Sequence, residues 1–131
     1  MKEPFRRVFS GAPWESTVGY CRVLVAGDRV FVTGTAAVEP DGRVHAPGDG
    51  YAQAVRCLDI IREHLARVDV PMDRVARTRM FVTDIERWKD FGRAHAEAFG
   101  KAPPTTSMVE VRRLIHPDML IEIEADAVVE E

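Results

Sequence analysis

Residues 119–129 read Met-Leu-Ile-Glu-Ile-Glu-Ala-Asp-Ala-Val-Val, and this alternation constrains the fold more than any other stretch of the chain. A strand sends successive side chains to opposite faces. Met119, Ile121, Ile123, Ala125 and Ala127 therefore share one face, and Leu120, Glu122, Glu124, Asp126 and Val128 share the other. A slip of one residue would bury the carboxylates and expose the isoleucines, so one register is strongly specified. The rest of the chain has to supply neighbouring strands and a cover for the apolar face.

Those elements are recognisable. Tyr20-Cys21-Arg22-Val23-Leu24-Val25 and Arg29-Val30-Phe31-Val32-Thr33 are rich in β-branched residues and flank the turn residues Ala26-Gly27-Asp28, the pattern of a hairpin whose second strand ends at Gly34. Glu39-Pro40-Asp41-Gly42 marks a turn and residues 46–50 a loop, with a short third strand expected over Arg43–His45. Tyr51, Val55, Leu58, Ile61, Leu65 and Val68 recur at helical spacing, and Pro71 lies past their end. A strand is expected over 76–82 and a second helix over 85–99. Thr83-x-x-Glu86 has the form of a capping box, and Trp88, Phe91, His95, Ala98 and Phe99 form a buried stripe ending at Gly100. Beyond the stiff connector 101–106, a strand over 107–114 precedes the alternating one.

The expected order is β-β-β-α-β-α-β-β, an α+β fold with a mixed sheet and two helices on one face. Two helices of about four turns each cover only one side of such a sheet. The other side also carries apolar residues, which predicts self-association through it.

The 131 residues carry a formal charge of −3, with 46% hydrophobic and 30% charged residues. That composition fits one globular domain over 1–131 and offers no field for holding nucleic acid. Cys21 and Cys57 show no C-x-x-C spacing and are expected as packed, reduced thiols. Met1-Lys2-Glu3-Pro4-Phe5-Arg6-Arg7 lacks the apolar run of a secretory leader, and no stretch approaches a membrane span. The expected location is cytoplasmic. His45, His64, His95 and His116 have no metal-ligand spacing, and no phosphate-binding or nucleophile-elbow motif is present. Neither a metal nor a cofactor is called for.

Three segments together carry a resemblance: Arg29–Gly34, ending Val-Thr-Gly; Val75–Asp84, reading Val-Ala-Arg-Thr-Arg-Met-Phe-Val-Thr-Asp; and Pro104–Val129, with Val109-Glu110-Val111, Leu114 and Ile121-Glu122-Ile123-Glu124-Ala125. They resemble the reactive intermediate deaminase family (RidA/YjgF-like, also known as endoribonuclease L-PSP), and the likeness runs from about Tyr20 to Val129. The resemblance implies a chorismate-mutase-like fold assembled as a homotrimer, with sheets forming a central barrel, helices outside and clefts between neighbouring subunits. It also implies a small-molecule ligand, with enamines and imines hydrolysed to a carbonyl and ammonia in the deaminating members.

Carried over position by position, the family's cleft residues fall on Tyr20, Thr33, Gly34, Thr106 and Glu122, with Glu122 as the acidic residue that positions or activates water. Thr33 keeps the hydroxyl of a residue that is often serine, and Gly34 keeps the backbone open to a ligand. The departure is at Thr106, where deaminating members carry an arginine that clamps the substrate carboxylate; Met108 likewise stands where cysteine is often found. Losing a charge-assisted contact of about 1.5–3 kcal/mol weakens binding of an α-imino acid roughly 10- to 100-fold. Arg22, two residues from Tyr20 on the same strand face, is the best candidate to compensate. Desolvation in the cleft that the resemblance implies would raise the pKa of Glu122, and Glu124 and Asp126, on the same face by alternation, would push it in the same direction. Three readings follow: an imine or enamine hydrolase whose substrate is not a simple α-imino acid, a non-catalytic ligand-binding or regulatory trimer, and deamination of small imino acids through a relocated arginine.

Overall fold

The computed structural model describes residues 5–130; Met1–Pro4, part of the segment weighed above as a leader, lie outside the described residues. The alternating strand, β6 (Ile121–Val128), is an interior strand whose burial alternates residue by residue. Ile121, Ile123, Ala125 and Ala127 are at most 1% exposed, while Glu122, Glu124, Asp126 and Val128 remain partly open. On either side of it, β3 (Arg29–Ala36) and β4 (Val75–Val82) pair antiparallel. β5 (Thr105–Glu110) runs parallel to β4 at one edge. β2 (Val23–Ala26) and β1 (Arg6–Val8) extend the other edge, giving a six-stranded mixed sheet in the order β1-β2-β3-β6-β4-β5.

The two long helices, α2 (Gly50–Ala66) and α3 (Trp88–Phe99), pack on each other and cover the apolar face, α2 lying over β3 and β6. The core forms between them: Leu58, Ile61, Leu65 and Phe91 from the helices meet Val23, Val32, Val82, Ile121 and Ile123 from the sheet. Asp49 caps α2 by accepting the Ala52 N–H at 2.9 Å. Gln53 is fully buried and donates to the Asp118 carbonyl while accepting the Leu120 N–H, each at 2.8 Å. That pair of bonds ties the entry of β6 to the first turn of α2 and so fixes where Glu122 falls.

Several expectations change. No third strand forms over Arg43–His45; only an isolated bridge joins Val38 and Val44, because Ala46-Pro47-Gly48 turns the chain before a ladder can grow. The extra strand is instead β1, whose three residues are too short to show a pattern. A six-residue helix, α1 (Pro13–Val18), was also not anticipated, although Pro13 in its first turn and Gly19 after its end, at φ 88°, are the expected punctuation. Gly34 does not end its strand, since β3 continues to Ala36 through a register shift between Val32 and Thr35. The residue opening the second helical segment is Asp84, not Thr83: its side chain accepts the Glu86 N–H and starts a 3-10 turn, Ile85–Arg87, that leads into α3. Trp88 stands at the first position of α3 and is 53% exposed, so it leaves the buried stripe to Phe91, Ala94 and Phe99.

Candidate functional site

The β3 irregularity is where the site takes shape. Glu122 lies opposite Ala36 on β3 and Phe81 on β4. A Cβ built on Gly34 would sit 2.7 Å from the Glu122 carboxyl oxygen Oε2. The absence of a side chain at Gly34 therefore lets the Glu122 carboxyl lie directly against β3. Bulges of this kind re-aim side chains and locally interrupt pairing. Beside it, the buried Thr35 hydroxyl donates to the Thr33 carbonyl at 2.8 Å, which holds the irregularity closed.

Arg22 braces the same spot from β2's side. Its Nη1 donates to the Gly34 carbonyl and to Thr35 Oγ1, both at 3.3 Å, and its Nε lies 3.7 Å from Glu15. The guanidinium also lies 5.8 Å from the Tyr20 ring centroid. Glu15, on the unanticipated helix α1, is buried and accepts the Ser10 N–H at 3.0 Å together with the Ser10 hydroxyl. Burial pushes the Glu15 carboxyl up, but the Ser10 bonds and the Arg22 charge outweigh it and leave its pKa below the ordinary value. Arg22 is thus directed at the protein itself, with two backbone-shaping bonds and a buried counter-ion, rather than at an open cleft. Sequence reasoning missed Glu15 and Thr35; reading α1 from its proline and glycine would have placed Glu15 near the hairpin.

Burial raises the pKa of the Glu122 carboxyl, the neighbouring Glu124 charge raises it further, and Arg22 partly offsets both. The Glu124 cause is the one the alternation implied, and the desolvation is the one expected of the cleft. Next along the open face, a depression of about 500 Å³ is lined by residues that include Tyr20, Cys21, Phe31, Thr33, Glu124 and Asp126. Arg79 on β4 spans its floor, with Nη1 3.1 Å from Glu124 and 3.3 Å from Asp126. Tyr20 and Thr33 belong to this lining, whereas Glu122, Gly34 and Arg22 sit just outside it.

Thr106 is placed differently. On β5 it pairs with Thr78 of β4, whose side chain is fully buried on the helix-covered face. The Thr78 hydroxyl donates to the Thr106 hydroxyl at 2.7 Å, and His95 Nε2 of α3 lies 2.8 Å from the same Thr78 oxygen. Thr106 is exposed at the sheet edge, yet its side chain is on the opposite face from Glu122. Within one chain the expected residues therefore fall into two groups, one around the β3 irregularity and one on the helix side of β5. Burial lowers the pKa of His95. Cys57 is buried and its thiol is pushed up by that burial, while Cys21 is partly exposed; both are free thiols. Among the described residues no group of three or more His, Cys, Asp or Glu side chains converges to hold a metal ion, and no helix is long and apolar enough to cross a membrane.

Comparison with known proteins agrees with this layout. Residues 10–129 match the family model described as endoribonuclease L-PSP. A protein of Streptomyces coelicolor is 35% identical over 125 residues, covering 95% of this chain and 92% of its own length. A RutC family protein of Sulfurisphaera tokodaii is 32% identical over 104 residues, or 79% of this chain and 82% of the relative. Among solved structures, Rv2704 of Mycobacterium tuberculosis, described as a member of the YjgF/YER057c/UK114 family, superposes with a TM-score of 0.86 at 44% identity, covering 96% of this chain and 100% of that one. A continuous match over nearly the whole chain, with sheet order and helices preserved, leads to one conclusion: the chain belongs to the endoribonuclease L-PSP family, the YjgF- or RidA-like proteins.

Proposed function

We propose that the protein is an imine or enamine hydrolase working in clefts between the subunits of a homotrimer, on substrates other than simple α-imino acids. Family membership supports the coarser statement, a small-molecule deaminase-like or ligand-binding role. The observation that carries the finer one is the Glu122 carboxyl, which is held against Gly34, partly desolvated and raised in pKa. An imine carbon is already electrophilic, so the chemistry asks for little. Glu122 takes a proton from water as the water oxygen bonds to the imine carbon, and returns it to nitrogen. The hydroxyl proton of the resulting carbinolamine then passes through Glu122 to the nitrogen as the C–N bond breaks, releasing ammonia and leaving a carbonyl. A carboxyl whose pKa is raised towards neutrality suits both transfers.

The two-group arrangement supports the trimer. Thr106 and Glu122 belong to one cleft in the family pattern but occupy opposite faces of one sheet, so only a second chain can bring them together. Tyr20 and Thr33 line the same open face and would hold the substrate body. Thr106 stands where the family's guanidinium would be and Arg22 is bonded within the protein, which is why the substrate is read as something else. The same observation favours a second reading, a trimer that binds a small molecule without turning it over.

Ammonia release separates the two. The substrates are 2-iminopropionate, generated by an amino-acid oxidase, and the neutral imine that a flavin amine oxidase forms from benzylamine. Hydrolysis of the neutral imine above the uncatalysed rate, lost in Glu122→Gln, is the expected result. No acceleration of either imine would leave the binding reading. Faster release from 2-iminopropionate than from the neutral imine would mean that a carboxylate is recognised after all.

A further inference from the structure

The hydrogen-bonded chain from His95 through Thr78 to Thr106 can run in either direction, since each hydroxyl donates or accepts and the histidine role follows its tautomer; with Thr78 as donor to Thr106, proton counting sets the rest. The Thr78 hydroxyl has one proton, and it is directed to Thr106 Oγ1 at 2.7 Å. The 2.8 Å contact between Thr78 Oγ1 and His95 Nε2 must then be donated by the histidine, which requires the proton on Nε2. Thr106 accepts from Thr78, so its own proton points away from the chain, and among the described residues no acceptor takes it. Thr106 is exposed at that end while Thr78 is fully buried, so the inner members are locked and only the outer hydroxyl meets a ligand. His95 is itself held by its ring contact with Phe99, the centroids 4.6 Å apart. Burial depresses its ionisation, which keeps the ring neutral; a protonated ring would donate in the same direction.

We propose that His95 and Thr78 are positioning residues that make Thr106 a fixed hydrogen-bond donor, and that the group it receives is a neutral carbonyl, as in an amide or ester adjacent to the imine. The proposal rests on the intersubunit cleft described above and names its substrate class. One neutral donor satisfies a neutral carbonyl oxygen. It leaves a carboxylate without a counter-charge, which is costly where water is excluded. Two guanidiniums of the open face are already engaged: Arg22 is bonded to Gly34, Thr35 and Glu15, and Arg79 to Glu124 and Asp126.

The test titrates the full protein with two carbonyl products of matching shape, pyruvamide and pyruvate, by ligand-observed NMR, and reads the His95 tautomer by 15N NMR. Pyruvamide should bind wild type roughly tenfold or more tightly than pyruvate, the size of one lost hydrogen bond to a charged group. His95 should carry its proton on Nε2. His95→Gln, whose amide nitrogen reaches the position of Nε2, should keep the preference, and His95→Leu should lose most of it. A purely structural histidine would not discriminate between these two replacements by ligand preference. A proton on Nδ1 with Nε2 bare, or equal or tighter binding of pyruvate, overturns the proposal. So does the absence of binding by either compound. Thr106→Arg then says what has failed: if it captures pyruvate, the cleft stands and only the neutral-carbonyl assignment falls; if it does not, the cleft reading falls as well.

Discussion

The two faces of β6 come from the same eight residues and have been put to opposite uses. On the helix side, Ile121, Ile123, Ala125 and Ala127 meet Leu58, Ile61 and Phe91 in a close-packed core whose only demand is volume. On the other side, Glu122, Glu124 and Asp126 share a surface with Arg79, Tyr20 and Thr33, and burial and the Glu124 charge raise the pKa of Glu122. The comparison teaches that one strand can serve a core and a polar surface at once: the buried half sets the register, and the open half inherits its placement. Gly34 is the clearest sign of it, since the carboxyl it accommodates has no room for one additional carbon.

The largest effect expected from breaking the comparison is on turnover. Glu122→Gln should lower the rate of imine hydrolysis by roughly 10²–10⁴-fold, the usual worth of a positioned acid–base group, measured as ammonia released. Ile123→Ala, one residue along on the other face, should leave the carboxyl chemistry in place and cost about 2–5 kcal/mol of stability, read from urea unfolding. Gly34→Ala joins the two faces in one change. The new methyl must displace the Glu122 carboxyl, and the expected loss is about 1–3 kcal/mol of stability, accompanied by a fall in turnover much nearer that of Glu122→Gln. Retained activity in Gly34→Ala would mean that the carboxyl does not need its place against β3. Arg79→Ala should be the mildest, at about 1 kcal/mol or less, because the Arg79 side chain is more than a third exposed and the pair is screened by solvent.

The pH dependence of stability sharpens the same contrast. Glu122 titrates above the ordinary glutamate value of 4.5 in the folded chain, so the folded form binds its proton more readily than the unfolded form. Its contribution to stability is therefore fully present below that ordinary value and is lost as pH rises through the raised one. Glu122→Gln should unfold at a higher urea midpoint than wild type at neutral pH, and the gap should narrow as the solution is made acidic. A glutamine variant less stable than wild type at neutral pH would show that the carboxylate is held by favourable contacts rather than strained by desolvation.

Much of this was legible in the sequence, for a physical reason. Period-two alternation over 119–129 and helical spacing over 51–68 are long signals, and both elements form within them, the strand over Ile121–Val128 and the helix ending at Ala66, short of Val68. Short elements carry too few residues for a period: β1 has three and α1 has six, and both went unread. The third strand expected at Arg43–His45 failed for the complementary reason, three extended residues with no neighbour long enough to pair. At the site, alternation sufficed to place Glu122 on the open face beside Glu124, while the burial that chiefly raises its pKa was expected only through the family resemblance. The wedge of Gly34 against its carboxyl, the brace from Glu15 through Arg22, and the chain from His95 to Thr106 join residues distant in sequence, and no spacing rule brings them together.

The separation of Glu122 and Thr106 onto opposite faces of one sheet makes the assembly state the most direct test of the proposed site. Multi-angle light scattering of the full chain at micromolar concentration should give three times the chain mass, with the open face of each sheet covered by a neighbour. A monomeric mass would contradict the intersubunit cleft and leave Glu122 and Thr106 without a way to meet.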